Sequence, residues 1–250
     1  MNTRIAIVTG ATSGIGEATV RKLIEVGMQV VGNGRTREKL ATLEKELGSN
    51  FCGVAGDAGD EKVIDQLFAE AQEHFGGEAN LVVINAGRGL GGSVTTSDQS
   101  QLDDLLNVNV KGAALLMQKA ALKMVKQQEK GFPKSAADIV IIGSVVGRHI
   151  SPFSAVYGAS KFAVHALAEG LRREVGPKGV RVSLVQPGIV ISGFQDVAGY
   201  SDELVQGFHD KFGPLPTAAD IADAICHVTT LPPHINISDI VVRPTRQEYP

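Results

Sequence analysis

Tyr157-Gly-Ala-Ser-Lys161 places a phenol and an ammonium four residues apart, and on a helix residues so spaced share a face. A phenol ionises near a pH of about 10, too high for proton exchange at neutrality, but a fixed cation beside it favours the phenolate and brings it into working range. Such a pair can exchange a proton with the oxygen of a carbonyl/alcohol couple. Any amphipathic helix with a buried Tyr and a solvated Lys has the same spacing, so the pair takes its weight from the residues around it.

Far upstream, Ile5-Ala-Ile-Val-Thr-Gly10 runs from an apolar strand into a turn with glycines at 10, 14 and 16, and a helical pattern from Glu17 to Val26 follows. In this strand, turn and helix order, backbone N–H groups and the positive end of the helix dipole attract a pyrophosphate, and glycine permits its close approach. Gly10, Thr12, Ser13, Gly14, Ile15 and Gly16 form that candidate cradle. The second strand ends in Val31-Gly-Asn-Gly-Arg-Thr-Arg37, with no acid where one would hold the ribose hydroxyls of NAD. Arg35, with Arg37 beside it and the Thr36 hydroxyl, suits the 2′-phosphate of NADP; the same residues also suit an ordinary solvated helix start. Asp57 with Ala58 follows the third strand, and Asn85-Ala86-Gly87 follows the fourth. At the carboxyl ends of parallel strands they either meet adenine and ribose or act as turn formers bonding their own backbone.

These groups must be held by a larger frame. Apolar runs at Ile5–Val8, Val30–Val31, Phe51–Val54, Leu81–Ile84, Ile139–Ile142, Val180–Val185 and Ile240–Val242 alternate with helical patterns, such as Val63, Ile64, Leu67, Phe68 and Ala71. That alternation predicts an α/β fold: a doubly wound parallel sheet of about seven strands with helices on both faces. With 250 residues, 43% of them hydrophobic, and no internal repeat or linker, one domain over 1–250 is expected. Thr217-x-x-Asp220 marks the capped start of a late helix. A formal charge of -3 gives no basic surplus for nucleic acid or an anionic membrane. Cys52 and Cys226 stand alone, without metal-ligand spacing, and read as buried thiols, so no metal is expected. The apolar run at the start is too short for a signal peptide, and no stretch of about 18 apolar residues is present, so a cytoplasmic protein is expected.

Taken together, the turn from Thr9 to Gly16, Asn85-Ala-Gly87, Asn107-Val-Asn109, Ser144, Tyr157-x-x-x-Lys161 and Pro187-Gly188 resemble the short-chain dehydrogenase/reductase superfamily over essentially the whole chain. The resemblance implies a Rossmann-type domain and an active-site quartet of Asn109, Ser144, Tyr157 and Lys161. In it Tyr157 exchanges the proton, Ser144 bonds the substrate oxygen, Lys161 holds the nicotinamide ribose and lowers the Tyr pKa, and Asn109 supports a water relay. The cofactor, NADP(H), supplies hydride and is further held by Pro187, Gly188, Val190 and Ser192. Three departures stand out: Ile84 where the family often has a first Asn, Ala58 where Val is common after the Asp, and Ser192 in place of Thr. The ending Ile240-Val-Val-Arg-Pro-Thr-Arg-Gln247 looks like the NADP-dependent branch containing 3-hydroxy acid and serine dehydrogenases and sulfoacetaldehyde reductases.

Substrate is expected over the nicotinamide, bounded by a segment at about 188–213. Arg88, Arg148 and His149 sit in loops where an arginine fork would clamp a carboxylate or sulfonate, or they are solvated surface residues. Phe194, Val197, Tyr200, Phe208 and Phe212 form either an apolar lid or the buried side of a helix. A small anionic hydroxy acid or aldehyde and a larger apolar carbonyl therefore both stay open, as does a nucleotide-sensing protein without turnover. Helices over Leu102–Lys119 and Ala159–Glu174 carry surplus apolar and small residues, including Ala113, Leu116, Phe162, Ala166 and Leu167, which suits a two-fold contact. A homodimer or homotetramer is expected, the tetramer favoured.

Overall fold

The computed structural model describes residues 3–249, apart from the side chains of Asp196 and Val197. Seven strands form one parallel sheet: β1 (Ile5–Val8), β2 (Gln29–Gly34), β3 (Phe51–Ala55), β4 (Leu81–Ile84), β5 (Ala137–Ile142), β6 (Val180–Pro187) and β7 (Asp239–Val242), ordered β3-β2-β1-β4-β5-β6-β7. Side chains alternate across a strand, and in this sheet both faces are covered, so the strands read as unbroken apolar runs. Ile5 and Ile7 point to one side with Val82, Ile84, Ile139 and Ile141, while Ala6 and Val8 point to the other with Leu81, Val83 and Val140.

Helices α1 (Gly14–Glu25) and α2 (Arg37–Leu47) cover the second of these faces, and α3 (Glu61–Phe75) packs Ile64, Leu67, Phe68 and Ala71 on the first. The helix expected over 102–119 is divided into α4 (Leu102–Leu106), a π-helical segment (Asn107–Gly112) and α5 (Ala113–Gly131). At Gly112 a Cβ would fall 2.7 Å from the Ala58 carbonyl oxygen, so the chain passes tightly against the loop after β3. The wider turn buries Asn109 to 2% exposure, and π turns of this kind are frequent at functional sites. Helix α6 (Ala155–Val175) joins α5 on the first face. After β6 come the short α7 (Phe194–Ala198), α8 (Asp202–Phe212) and α9 (Ala218–Thr230); α9 returns to the second face through Ile221, Ile225 and Val228. Its start is the expected capping box, Thr217 with Asp220.

The end of the sheet opposite the strand carboxyl ends is tied by charge. Asp138 is 2% exposed and accepts two hydrogen bonds from Arg181, at 2.7 and 2.9 Å, while Arg4 pairs with the same carboxylate at 2.5 Å. Arg181 also donates to the carbonyls of Thr229, Leu231, Pro232 and Ile235, fastening the end of α9 and the following loop to the sheet.

Candidate active site

Strand order reverses between β1 and β4, which opens a crevice at the carboxyl ends. A cavity of about 960 Å³ lies there. Gly10, Ser13, Gly14, Ile15, Asn85, Ala86, Gly87, Arg88, Ser144, Tyr157, Lys161, Pro187, Gly188, Val190, Ser192 and Phe194 all line it. Thr12, Gly16, Arg35, Thr36, Asp57, Ala58, Asn109 and Arg148 do not.

Tyr157 and Lys161 stand one turn apart on α6, exposed by only 8% and 7%, with the Lys161 nitrogen 5.8 Å from the centre of the phenol ring. Lys161 donates to the Ile142 carbonyl at 2.8 Å, which anchors it to the end of β5. Burial lowers the Lys161 ammonium to about 8. The expected depression of the phenol by Lys161 does not occur in the chain alone. Burial raises the Tyr157 phenol well above its ordinary value, and the Ser144 hydroxyl only partly opposes it. The cause is common to both groups: removal from water penalises the phenolate and the ammonium alike. Tyr157 is thus held protonated.

Ser144 follows β5 and caps a short 3-10 turn, Val145–Gly147. Asn109 sits behind the wall: its amide nitrogen donates to the Arg88 carbonyl at 2.9 Å and to the Ser160 hydroxyl at 3.0 Å, while its oxygen accepts the Arg88 N–H at 2.8 Å. Ser160 in turn donates to the Tyr157 carbonyl at 2.7 Å, so Asn109 ties the π segment and the loop after β4 to the backbone that carries the phenol.

The nucleotide end has the chemistry for a diphosphate. Gly10 and Gly14 take left-handed backbone angles, φ of +66° and +53°. A Cβ on Gly14 would fall 2.4 Å from the Ser192 carbonyl oxygen, so the turn closes against the loop after β6. Ser13 makes no side-chain cap, and the first intrahelical bond runs from Glu17 to Ser13, which leaves the Gly14, Ile15 and Gly16 amides without a helix partner. Asn85 donates to the carbonyls of Thr9 and Gly10 at 2.9 and 3.3 Å, and Thr9 Oγ1 accepts the Asn85 and Ala86 amides. These bonds lock the turn to β4. Asp57 accepts the Gly59 amide at 2.8 Å, the turn-forming arrangement. Arg35, Thr36 and Arg37 are exposed where α2 begins, and among the described residues neither arginine forms an ion pair.

On the substrate side the expected arginine clamp is not assembled. The Arg88 guanidinium turns onto Asp104 and Gln101 of the neighbouring segment, leaving only its enclosed Nε without a partner. Arg148 and His149 are exposed and outside the cavity, because the 3-10 turn carries them to the surface. Phe194, Tyr200, Phe208 and Phe212 do line it; Val197 lies outside the described side chains. Helix α7 closes on the loop after β4, where a Cβ on Gly89 would fall 2.6 Å from both Phe194 and Ala198.

Three contributors escaped sequence reasoning. His165, four residues beyond Lys161, accepts the Ser144 amide at 3.3 Å, and only its helical spacing could have signalled it. Gln247 accepts the Ile189 amide at 3.0 Å, and Tyr249 donates to the Ile150 carbonyl, so the C-terminal segment closes one side of the cavity.

Residues 4–199 match the model of the short chain dehydrogenase family. The chain belongs to this family. Short chain dehydrogenases are oxidoreductases that act on CH–OH groups, and the sheet and crevice described above are those of a Rossmann-type fold. An uncharacterized oxidoreductase of Staphylococcus aureus is 34% identical, covering 96% of this chain and 97% of its own. One from Staphylococcus epidermidis is 32% identical with the same coverage. A serine dehydrogenase solved in a closed form with NADP+ superposes with a TM-score of 0.87 at 29% identity, over 98% of this chain and 96% of its own. Serine dehydrogenase from Escherichia coli superposes at 0.80 with 28% identity, over 98% and 100%.

Proposed function

We propose that this short chain dehydrogenase interconverts an alcohol and a carbonyl with NADP(H), Tyr157 being the proton donor and acceptor. The observation that carries the reading is the meeting, in one cavity, of the buried Tyr157 phenol, the Ser144 hydroxyl beside it and the buried Lys161 ammonium. When bound, the nicotinamide supplies or accepts the hydride. In reduction the Tyr157 Oη gives its proton to the substrate oxygen while Ser144 donates a hydrogen bond to that oxygen; oxidation runs the same transfers backwards. Lys161 keeps ammonium protons beyond the one spent on Ile142, and these would hold the nicotinamide ribose. Asn109 keeps α6 in place through Ser160 and would support a water relay to the site. The free amides of α1 would receive the diphosphate, and Arg35, with Arg37 and Thr36, the 2′-phosphate. The NADP+-bound serine dehydrogenase neighbour supports that cofactor.

The catalytic unit spans 1–250, with the substrate side in about 188–213, and acts on a small molecule in the cytoplasm without nucleic acid or membrane. It works as a homodimer or homotetramer. Of the surplus residues, Ala113 and Leu116 belong to the monomer core, but Phe162 and Leu167 on α6 are 43% and 38% exposed, and Leu106 on α4 is 40% exposed. An apolar face of this kind suits a second copy. The decisive experiment follows oxidation of NADPH, and of NADH, against a panel of short anionic, aliphatic and aromatic carbonyls. Turnover that prefers NADPH supports the proposal; tight nucleotide binding with no turnover on any carbonyl or alcohol would overturn it.

A further inference from the structure

Four aromatic rings continue outward from the catalytic phenol. Centre-to-centre distances are 5.4 Å from Tyr157 to Phe194, 6.4 Å from Phe194 to Tyr200, 6.1 Å from Tyr200 to Phe208 and 6.5 Å from Phe208 to Phe212. Each step lies in the range where tilted and edge-to-face pairs attract. The row starts at the atom that handles the proton and runs along α7 and α8. Around its inner end Leu90 and Val146 pack against Tyr157 and Phe194, so the surface beside the reacting oxygen is apolar.

The charges of the same cavity are unsuited to an anion. Among the described residues lining it, the cations are Arg88, Lys161 and Lys211. The Arg88 fork is taken by Asp104 and Gln101. Lys161 lies at the proton-handling centre. Lys211 pairs with Glu248 at 2.8 Å, rests over the Phe212 ring at 4.9 Å and has a side chain 61% exposed, at the outer end of the row. Glu203 adds a carboxylate to the lining. Among the described lining residues a carboxylate on the substrate would meet no cation other than Lys161 that is not already paired, whereas a flat apolar body would be buried against its like.

We infer that the substrate is a neutral carbonyl compound with an aromatic body, its oxygen at Tyr157 and Ser144 and its ring against Phe194 and Tyr200, rather than a short carboxylate or sulfonate. This deepens the proposed reaction and rests on it. The serine dehydrogenase neighbours share the frame; in this chain the row of rings and the engaged arginine argue against a small amino or hydroxy acid.

The test compares kcat/KM with NADPH for benzaldehyde, propanal and succinic semialdehyde. Benzaldehyde should exceed the semialdehyde by at least about tenfold, the range a hydrophobic pocket delivers. Phe194→Ala should cut the benzaldehyde-to-propanal ratio by about tenfold, with Phe194→Leu cutting it less, and NADPH binding measured on each variant shows that it is folded. Preference for the semialdehyde, lost in Arg88→Ala, would overturn the inference while leaving the reaction standing. Should no carbonyl be turned over, the reaction reading falls. The inference is then decided by titrating benzamide into the NADP-loaded protein: saturable binding weakened by Phe194→Ala supports it, and no binding overturns it.

Discussion

The imidazole of His165 accepts the backbone N–H of Ser144 at 3.3 Å, from a position two turns along α6 from Tyr157. The ring fills a slot made by two glycines: a Cβ on Gly143 would fall 2.3 Å from it and one on Gly147 2.4 Å. Helix α6 thus presents the phenol, the ammonium and the imidazole on one face, and the imidazole fixes the loop that carries the Ser144 hydroxyl.

His165 can accept that bond only while neutral, and its pKa is lowered to about 4, first by burial and then by the positive charges of Lys161 and Arg148, against the Gly147 carbonyl. An unfolded histidine titrates near about 6.5, so between these values the unfolded chain binds more protons. Stability from this site is present above about 6.5 and is lost as pH falls toward about 4. Thermal midpoints measured from pH 7 to pH 4.5 should therefore fall less steeply for His165→Gln than for the wild type. Parallel curves would remove the role given to His165. Gly147→Ala, which pushes into the ring, should lower turnover more than it weakens NADPH binding.

Tyr157→Phe deletes the transferable proton and leaves the ring that packs on Phe194 at 5.4 Å. Turnover should fall by at least about 100-fold, the usual share of acid–base catalysis, while NADPH affinity changes little. Turnover within a few-fold of wild type would show that another group handles the proton.

Arg35 is exposed and, among the described residues, forms no ion pair, so its charge is available to a phosphate. Arg35→Ala should weaken NADPH binding by about tenfold or more, as expected for loss of a charge-assisted contact, and leave NADH binding nearly unchanged. Titrations of both nucleotides check this; equal losses, or a wild-type preference for NADH, would count against the 2′-phosphate contact.

Much of this architecture is legible in the chain because strands buried on both faces are continuous apolar runs; Ile5–Val8 and Leu81–Ile84 coincide with the observed strands. Strand β2 extends beyond Val31 for reasons no pattern contains. Gly32 lies where a Cβ would fall 2.4 Å from the Phe51 ring, and the buried Asn33 donates to the carbonyls of Val54 and Gly56. The same distinction runs through the site. Tyr157 and Lys161 are neighbours on one helix and can be read from spacing. Arg88 finds its partner on a different element, and His165 matters because of glycines on another loop, so both depend on tertiary packing. The division of the helix over 102–119 likewise follows from Gly112 meeting the loop after β3.

The exposed faces of α4 and α6 predict assembly. Light scattering at micromolar concentration should give two or four times the 26.3 kDa of one chain. Paired charges on the face, Phe162→Glu with Leu167→Glu, should halve the mass, a dimer falling to one chain and a tetramer to a dimer, since like charges would then meet across a two-fold contact. A wild-type mass of one chain with full activity would rule the assembly out as a requirement.

The Asp138 carboxylate is the sole anion between Arg4 and Arg181 in the ion pairs of the described residues, and it sits at the end of β5 remote from Tyr157. Asp138→Asn keeps the shape but leaves the two guanidiniums facing each other without their counter-charge. Removing one partner of a buried ion pair costs about 3–5 kcal/mol. For a chain of this size each kcal/mol shifts the thermal midpoint by about 2–4 °C, so unfolding should move down by roughly 10 °C. Because the strand carboxyl ends are undisturbed, turnover per folded molecule should stay near that of the wild type at temperatures well below the new midpoint. A midpoint lowered by less than about 2 °C would show that water or main-chain carbonyls already neutralise the arginines. A loss of turnover at full foldedness would show instead that the charged end of the sheet governs the geometry of the crevice at the other.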